Sequence, residues 1–294
     1  MKTVAIIGAG RVGSSVGFLL ARAGYPVTAV AAQTAASVEK ALEFIKGGGY
    51  PADAQKASGA DIVFITTPDR TIRDVCEELS REGGLKPGAL VVHMSGAHSL
   101  DLLDAAKAAG AYRAVIHPLQ SVPSREQGVR NLPGSFFRIE ADPEALQLAK
   151  DLVKALGGVE LALPKWTPDG GSASLYHAGA VVVSNYFVAL IDFGLKFYEA
   201  LGADRNEALQ AVMPLVKGTL KNIETLGIPA ALTGPIVRGD VDTIRGHLEA
   251  MRARAPELLD LYRALAKHTI TVAQGRGLEP ETAREMLSAL KMKD

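Results

Sequence analysis

The feature that most constrains this chain is a glycine-rich segment directly behind an apolar N-terminal run. Residues 3–8 have the composition of a buried strand, and Gly8-Ala9-Gly10-Arg11-Val12-Gly13 continues them as a G-x-G-x-x-G motif. Residues 11–23 then carry apolar side chains at helical spacing. A strand, a glycine turn and a helix in this order predict the phosphate-binding turn of a dinucleotide-binding domain. A tight turn without a ligand is the alternative.

Each glycine of the motif has a separate physical role. Gly8 allows the tight turn, Gly10 lets a pyrophosphate approach the backbone, and Gly13 lets the helix pack closely on the strand. The first N–H groups and the dipole of the helix face the phosphates. The predicted cofactor contacts in this segment are therefore Gly8, Gly10, Arg11, Val12 and Gly13.

Alternating apolar and amphipathic segments fill the first half of the chain and predict a parallel sheet covered by helices. Further strands are expected at residues 27–31, 61–66, 89–93, 113–117, 135–140 and 159–163. Beyond Pro164 the pattern is helical throughout. We predict an α/β fold with two domains. Residues 1–164 form a Rossmann-like doubly wound parallel sheet that binds a dinucleotide, and residues 165–294 form an all-helical domain for substrate binding and dimerisation.

Composition excludes several function classes. The 32 basic and 32 acidic residues cancel to zero net charge, which is unlike a general nucleic-acid binder. The one cysteine, Cys76, excludes an intramolecular disulfide framework and is expected in the core. Residues 178–191 are the best membrane-span candidate but are too short, and no signal-peptide pattern opens the chain. We expect a cytoplasmic protein with no membrane and no nucleic-acid partner. The histidines lack the spacing of metal ligands, so we predict no metal site.

The end of the second strand indicates which dinucleotide binds. An NAD or FAD site usually has Asp or Glu there, whereas this chain has Ala31-Ala32-Gln33-Thr34. A 2′-phosphate would meet no repelling charge, and Gln33, Thr34, Ser37 or Lys40 would be available to bind it. The arginine often found in NADP sites is also missing. The pattern favours NADP, with NAD as the open alternative and FAD third.

The ends of the following strands supply the other predicted site residues, because ligands of open parallel sheets bind beyond the carboxyl ends of the strands. Thr67, Pro68 and Ser95 are predicted cofactor contacts, although residues 67–69 also have the composition of a helix start. Gln120 is a predicted substrate contact. His117 is the first candidate for proton transfer, since a neutral imidazole can exchange a proton near pH 7. The alternative is a histidine that holds the following loop by a backbone hydrogen bond.

The long apolar segment 175–201 predicts a buried helix with one polar stripe. His177, Ser184, Asn185 and Asp192 fall within a sector of about 100° at about 100° per residue. One interpretation is a substrate-facing stripe, with His177 and Asn185 catalytic and Ser184 binding substrate. The other is a polar seam against a neighbouring helix, which is favoured for Asp192. Near 233–240, Arg238 either binds a substrate carboxylate or pairs locally with Asp240.

Several segments together resemble oxidoreductases that join a Rossmann-like domain to a helical domain of unknown function. These relate to pyrroline-5-carboxylate reductase, prephenate dehydrogenase and the 6-phosphogluconate dehydrogenase class. The segments that carry the resemblance are Gly8 to Gly13, His117-Pro118-Leu119-Gln120, Tyr176-His177-Ala178 with Ser184-Asn185-Tyr186, and Leu232-Thr233-Gly234-Pro235-Ile236-Val237-Arg238-Gly239-Asp240. The resemblance implies a cofactor domain, a helical domain that tends to build a dimer, and a site in the cleft between them. It names no substrate.

Two relatives bear on the chemistry that the resemblance implies. Prephenate dehydrogenases have a similar His-Pro step, whose histidine acts near the substrate hydroxyl. The 6-phosphogluconate and hydroxyisobutyrate dehydrogenases use a Lys-x-x-x-Asn pair on the long interdomain helix. This chain has Asn185, but Val181 stands where that lysine would be. The lysine mechanism therefore does not carry over.

The sequence thus predicts an NADP-dependent oxidoreductase that transfers a hydride between nicotinamide and a C–O or C–N centre of a small polar metabolite. His117 or His177 would handle the proton, and the protein would be a homodimer. A dinucleotide-binding sensor or scaffold without turnover is the alternative from another class, and the missing lysine keeps it open. A purely structural helical dimer does not explain the glycine motif.

Overall fold

The computed structural model describes residues 1–46, 50–51, 59–81, 85–167 and 171–291. Its contacts divide the chain into two compact units, Met1–Asn185 and Tyr186–Asp294. The first is an α/β unit and the second is helical.

Eight strands form one sheet within the described part of the first unit. They are β1 (Val4–Ile7), β2 (Val27–Ala31), β3 (Tyr50–Pro51), β4 (Ile62–Ile65), β5 (Leu90–His93), β6 (Tyr112–Pro118), β7 (Phe136–Ala141) and β8 (Val159–Glu160). Their order is β3-β2-β1-β4-β5-β6-β7-β8, with parallel pairing from β3 through to β6. Strand β7 runs antiparallel to β6, and β8 is parallel to β7. The predicted Rossmann-like α/β fold is confirmed. The strand order reverses between β1 and β4, where such sheets bind ligands.

Helices cover both faces of this sheet. They are α1 (Arg11–Arg22), α2 (Ala35–Ile45), α3 (Asp69–Arg81), α4 (Asp104–Ala108), α5 (Arg125–Asn131) and α6 (Leu146–Ala155); helix α7 (Gly171–Val183) follows them along the chain. Successive strand side chains point to opposite faces, so the unit has two apolar clusters, one containing Val4 and Ile6 and the other Ala5 and Ile7. Cys76 is buried in the second cluster, as expected of a core residue.

The second unit consists of helices that begin and end largely where the sequence predicts. They are α8 (Asn185–Glu199, whose first residue belongs to the first unit), α9 (Arg205–Leu226), α10 (Val241–Arg254), α11 (Leu259–Gln274) and α12 (Pro280–Lys291). The carboxylates of Asp204 and Asp240 accept backbone N–H bonds and cap α9 and α10. Gly227 ends α9. The core contains Phe193, Ile244 and Met286.

The segment 175–201, predicted as one buried helix, is largely exposed in the single chain, and its burial by a second subunit stays a prediction. The segment forms α7 and α8 with Ser184 between them, and most of its side chains are exposed, with Leu175 at 78% and Val183 at 74%. The segment Gly171–Glu199 is also long and apolar enough to span a membrane by length and composition, and little of its most apolar part is buried. The expectation that no apolar run is long enough to span a membrane is therefore wrong, because the apolar pattern continues on both sides of 178–191. The mostly buried core helix of a soluble protein meets the same criterion of length and composition.

The division between the compact units lies later than the change in sequence pattern. Helix α7 belongs to the first unit, because Tyr176 and His177 contact His117 of β6. The predicted boundary at residue 164 marks where strands give way to helices, and its meaning as a functional domain boundary stays a prediction.

Candidate active site

The glycine loop between β1 and α1 has the geometry that the motif predicts at two of its glycines. Gly8 has a φ of +91°, and a Cβ there would lie 2.5 Å from the backbone nitrogen of Thr67. A Cβ at Gly13 would lie 2.7 Å from the carbonyl oxygen of Gly8 and 3.0 Å from Ile6. Both positions exclude a side chain because the backbone itself is in the way.

Gly10 is different, because the space beside it is open. A Cβ there would meet only the carbonyl oxygen of Gly8, at 3.9 Å. Gly10 is the N-cap of α1 and has no side chain to cap it, so the first N–H groups of the helix lack intrahelical acceptors. Within the described residues, the buried hydroxyl oxygen of Thr67 also has no hydrogen-bond partner. These free donors and the open space fit a dinucleotide phosphate and sugar.

The end of β2 has exposed polar side chains. Thr34 caps α2 by accepting the N–H of Ser37, and the two hydroxyl groups are 2.9 Å apart. Gln33 and Lys40 are exposed beside this cap. Their side chains are therefore available to a ligand at this edge, as the NADP prediction requires.

Ser95 and Pro68 connect the ends of β5 and β4 to helix α3. The Ser95 hydroxyl donates to the carboxylate of Asp69 at 2.8 Å, and its backbone N–H donates to Nδ1 of His93 at 3.2 Å. The Pro68 carbonyl accepts the backbone N–H of Thr71. These residues organise the strand ends, and their contacts with a cofactor stay predictions.

Two histidines meet above Gly96, which follows β5. His117, near the end of β6, and His177, on α7, have ring centroids 6.3 Å apart and nearly perpendicular planes. A Cβ on Gly96 would lie 2.7 Å from Nε2 of His117 and 2.8 Å from Cδ2 of His177. The absence of a side chain at Gly96 is therefore what allows both rings to occupy this space.

His117 is held by a tyrosine rather than by the backbone of the following loop. Its Nδ1 lies 2.9 Å from the hydroxyl oxygen of Tyr176, one residue before His177 on α7. Two tautomers are compatible with this contact. If the Tyr176 hydroxyl donates to Nδ1, the imidazole proton is on Nε2, which faces Gly96. If Nδ1–H donates to the Tyr176 oxygen, Nε2 carries no proton and is an acceptor. The pair therefore links the Tyr176 hydroxyl through the imidazole to Nε2, the nitrogen that faces Gly96.

A buried arginine lies under this pair. Arg138 is the cross-strand neighbour of His117 on β7 and is 1% exposed. It donates to the carbonyl oxygens of Ser95 and His98 and forms an ion pair with Glu140 at 3.3 Å. Its guanidinium carbon lies 4.4 Å from the ring centroid of Trp166 and 5.7 Å from that of Tyr176. The aromatic faces stabilise the cation and hold the Tyr176 ring in place.

Burial keeps His117, His93 and Tyr176 neutral at pH 7. It lowers the pKa of His117 to about 3, with the Arg138 charge as the next cause, and lowers that of His93 to about 4. Burial also raises the pKa of Tyr176 to about 12. At pH 7 His117 is thus an uncharged hydrogen-bonding group that can pass a proton but does not keep one.

Other predicted site residues lie elsewhere or have local partners. The Gln120 amide accepts the N–H of Ser121 within its own loop and donates to the hydroxyl of Ser135, which precedes β7. Ser184 and Asn185 are exposed and lie two helical turns, about 10 Å along the axis, beyond His177. Their roles in catalysis and substrate binding stay predictions.

Two predicted polar residues have partners within the second unit. Asp192 forms ion pairs with Lys196, at 3.8 Å, and with Arg205, as expected of a structural residue. Arg238 adds to the bonds from Thr243 that lower the pKa of the Asp240 carboxyl. This agrees with a local charge interaction, and a substrate contact of Arg238 stays a prediction.

Three residues of the cluster were not among the predicted site residues. Arg138 is a basic residue in the apolar strand β7, Trp166 is the one tryptophan of the chain, and Tyr176 adjoins His177 in a segment that carries the family resemblance. A charged residue within a strand that the sequence predicts to be buried would have indicated Arg138 as a candidate site residue. Among the described residues, no group of three or more His, Cys, Asp or Glu side chains is placed to hold a metal ion.

Comparison with protein families identifies two matching segments. Residues 1–118 match the Rossmann-like domain, and residues 135–269 match DUF2520, a domain of unknown function. The two segments are similar to these two domains, and the resemblance drawn from the motifs of the chain is confirmed. No curated protein has significant sequence similarity to it.

Solved structures resemble most of the chain. The candidate NADP oxidoreductase BF3122 from Bacteroides fragilis has a TM-score of 0.71 at 19% identity, covering 92% of this chain and 98% of that one. Protein TM1727 from Thermotoga maritima has a TM-score of 0.70 at 26% identity, covering 92% and 99%. A pyrroline-5-carboxylate reductase from Coxiella burnetii has a TM-score of 0.57 at 18% identity, covering 97% and 98%. This chain is similar to all three in fold.

Proposed function

We propose that this protein is an NADP-dependent oxidoreductase that transfers a hydride between nicotinamide and a C–O or C–N centre of a small polar metabolite. The observation that carries the proposal is the neutral His117–Tyr176 pair beside Gly96. This pair lies at the ends of β5 and β6, in the same sheet as the glycine loop that follows β1, where the space beside Gly10 is open. Proteins of similar fold include imine reductases and a prephenate dehydrogenase in complex with NAD+, which supports nicotinamide chemistry.

The glycine loop would hold the cofactor. The free N–H groups at the start of α1 and the Thr67 hydroxyl are suited to the phosphate and sugar groups, and Gly10 leaves room for them. Gln33 and Lys40 are suited to a 2′-phosphate, since the end of β2 has no carboxylate that would repel it. When bound, the nicotinamide supplies or accepts the hydride.

The residues of this chain would move the accompanying proton. With the Nδ1 nitrogen of His117 accepting from Tyr176, its Nε2–H can donate to the substrate oxygen or nitrogen as that atom gains electrons. The Tyr176 proton then passes to Nδ1, and the nearby Arg138 charge stabilises the phenolate, because Arg138 lowers the Tyr176 pKa against the effect of burial. The reverse path starts from the Tyr176 phenolate with the imidazole proton on Nδ1: Nε2 accepts the substrate proton while Nδ1–H returns its proton to Tyr176. His177 is the second imidazole able to contact the substrate.

A substrate panel tests the proposal. Cyclic imines, 2-oxo acids and hydroxy acids are mixed with NADPH, NADH or their oxidised forms, and absorbance at the nicotinamide band is followed. Substrate-dependent absorbance change supports the enzyme. Binding of NADPH without turnover of any substrate favours the sensor or scaffold alternative, and binding of neither cofactor refutes both.

Two variants connect turnover to the proposed residues. Tyr176→Phe removes the hydroxyl but keeps the ring that packs on Arg138, so we expect a loss of turnover of about 10²–10⁴-fold with unchanged NADPH affinity. His117→Gln is expected to have the same pattern. His268→Gln changes an exposed histidine of α11 and serves as the matched control. Full activity of Tyr176→Phe would exclude the relay.

Cofactor preference is tested separately. Wild type is expected to bind NADPH more tightly than NADH, and Gln33→Asp is expected to reverse the order, because a carboxylate repels the 2′-phosphate and accepts bonds from a free ribose hydroxyl. Gln210→Asp, exposed on α9, controls for the added charge. Tighter binding of NADH by wild type would contradict the assignment.

The proposal includes a homodimer. Large apolar side chains are exposed on the second unit, among them Leu201, Leu215 and Ile228 at 68%, 69% and 72%. Patches of this kind mark protein or membrane contact, and an isologous dimer is the commonest way to cover one. The cytoplasmic location and the lack of a nucleic-acid partner stay predictions.

A further inference from the structure

A segment that follows His117 is fastened to the glycine loop. After β6 the chain runs through residues 119–124 into α5, and we call residues 119–125 the strap. The Arg11 guanidinium donates to the carbonyl oxygen of Pro123 at 3.3 Å, and the Ser15 hydroxyl donates to that of Arg125 at 3.0 Å. A Cβ on Gly128 would lie 2.9 Å from Cβ of Ser15, so α5 packs directly on α1.

The strap places a cation at the middle of the glycine motif. Nη2 of Arg125 donates to the carbonyl oxygen of Ala9 at 3.2 Å, and Ala9 lies between Gly8 and Gly10. Within the described residues this is the one hydrogen bond of the Arg125 guanidinium, which has five N–H donors. The neighbouring Glu126 carboxylate accepts from the Ser124 hydroxyl. A charged group with spare donors therefore stands beside the open space at Gly10.

We propose that Arg125 is a cofactor-binding residue whose guanidinium contacts the pyrophosphate of the nicotinamide dinucleotide. The inference rests on the proposed function and adds to it a residue outside the glycine motif. A pyrophosphate at Gly10 carries two negative charges, and Arg125 is already held within hydrogen-bond distance of the adjacent carbonyl. A guanidinium can form two parallel hydrogen bonds with phosphate oxygens. The bond to the Ala9 carbonyl oxygen uses only one of its N–H groups, so others are left for the phosphate.

The same geometry revises the role of the Arg11 side chain. Its guanidinium is directed to Pro123 and holds the strap, so the predicted cofactor contact at Arg11 belongs to its backbone N–H. Arg11 is a positioning residue for Arg125. Since the strap starts two residues after His117, a phosphate bound by Arg125 also restrains the segment that leads from the proton-transfer pair.

Fluorescence titration of NADPH, NADH, ADP and adenosine tests the inference on the full chain. For Arg125→Gln we expect about tenfold weaker binding of NADPH, NADH and ADP, and unchanged binding of adenosine, because a hydrogen bond to a charged group is worth about tenfold or more even when partly exposed. Arg130→Gln on the exposed side of α5 is the matched control and is expected to bind like wild type. Arg125→Lys is expected to recover part of the loss.

The salt dependence distinguishes a phosphate contact from a structural one. Wild-type affinity for NADH is expected to fall more steeply with salt than that of Arg125→Gln, whereas a purely structural loss leaves the slope unchanged. Arg125→Gln affinities within twofold of wild type would overturn the inference while the proposed function stands. A loss confined to NADPH would place Arg125 at the 2′-phosphate and also overturn it. Wild type that binds neither NADPH nor NADH would refute the proposed function itself.

Discussion

Gly96→Ala places a methyl group where His117 and His177 meet. The added carbon would lie 2.7 Å from Nε2 of His117 and 2.8 Å from Cδ2 of His177. Since unstrained contacts between such atoms are about 3.5–4.0 Å, each ring has to retreat by about 0.7 Å. The displacement of the His117 ring disturbs the contact between its Nδ1 and the Tyr176 hydroxyl, which is now 2.9 Å long.

Overpacking of this size costs about 1–3 kcal/mol, so we expect the free energy of unfolding to fall by that amount. NADPH affinity is expected to stay unchanged, because Gly96 lies outside the glycine loop, while turnover falls. Urea unfolding gives the stability, and the imidazole resonances of His117 and His177 report the displacement of the rings.

The matched control is Gly179→Ala on α7, where a Cβ would have nothing within 4 Å. Alanine in an open helical position stabilises by about 0.5–1 kcal/mol, so the same substitution is expected to have the opposite sign there. Adding His117→Ala to Gly96→Ala should restore part of the stability, because the two changes are coupled. A Gly96→Ala protein as stable as wild type, with unchanged imidazole resonances, would refute the crowding of the two rings.

Three further predictions follow from the structure. Gly10→Val should abolish NADPH binding, measured by fluorescence titration, and change the unfolding free energy by less than about 0.5 kcal/mol, because the space at Gly10 is open to a side chain and available to a phosphate; unchanged affinity would contradict this. His93 and His117 have folded-state pKa values of about 4 and 3, below the ordinary value near 6.5, so the unfolded chain binds more protons. The free energy of unfolding should therefore be greatest above pH 6.5 and fall by about 1.4 kcal/mol per pH unit for each histidine between about pH 6 and 4. Urea unfolding of His117→Gln should show only one of these two contributions. A pH dependence of its unfolding free energy as steep as that of wild type would exclude a buried neutral His117. Light scattering at micromolar concentration should give twice the mass of one chain, whereas a monomer that sediments with lipid vesicles would assign the exposed apolar surface to a membrane.

The sequence was sufficient to predict the elements that depend on neighbours along the chain. A strand, the turn Gly8 to Gly13 and helix α1 follow from local apolar spacing and from the conformations open to glycine. The same holds for the caps at Asp204 and Asp240, where a carboxylate needs only the next turn of backbone. The order of strands was not predictable in detail, and β7 turned out antiparallel to β6.

The sequence did not show what covers residues 175–201, because apolar composition indicates that exposure to water is unfavourable and not which surface packs on the helix. Most of these side chains are exposed within the chain. The candidate site was predictable only in part: His117 and His177 stood out as strand-end and helix residues. The tertiary structure decided the rest, since the register that puts Arg138 beside His117, the contact with Tyr176 and the crowding above Gly96 join residues from β5, β6, β7 and α7. Burial in that cluster, which no single segment encodes, is what keeps both the imidazole and the phenol neutral.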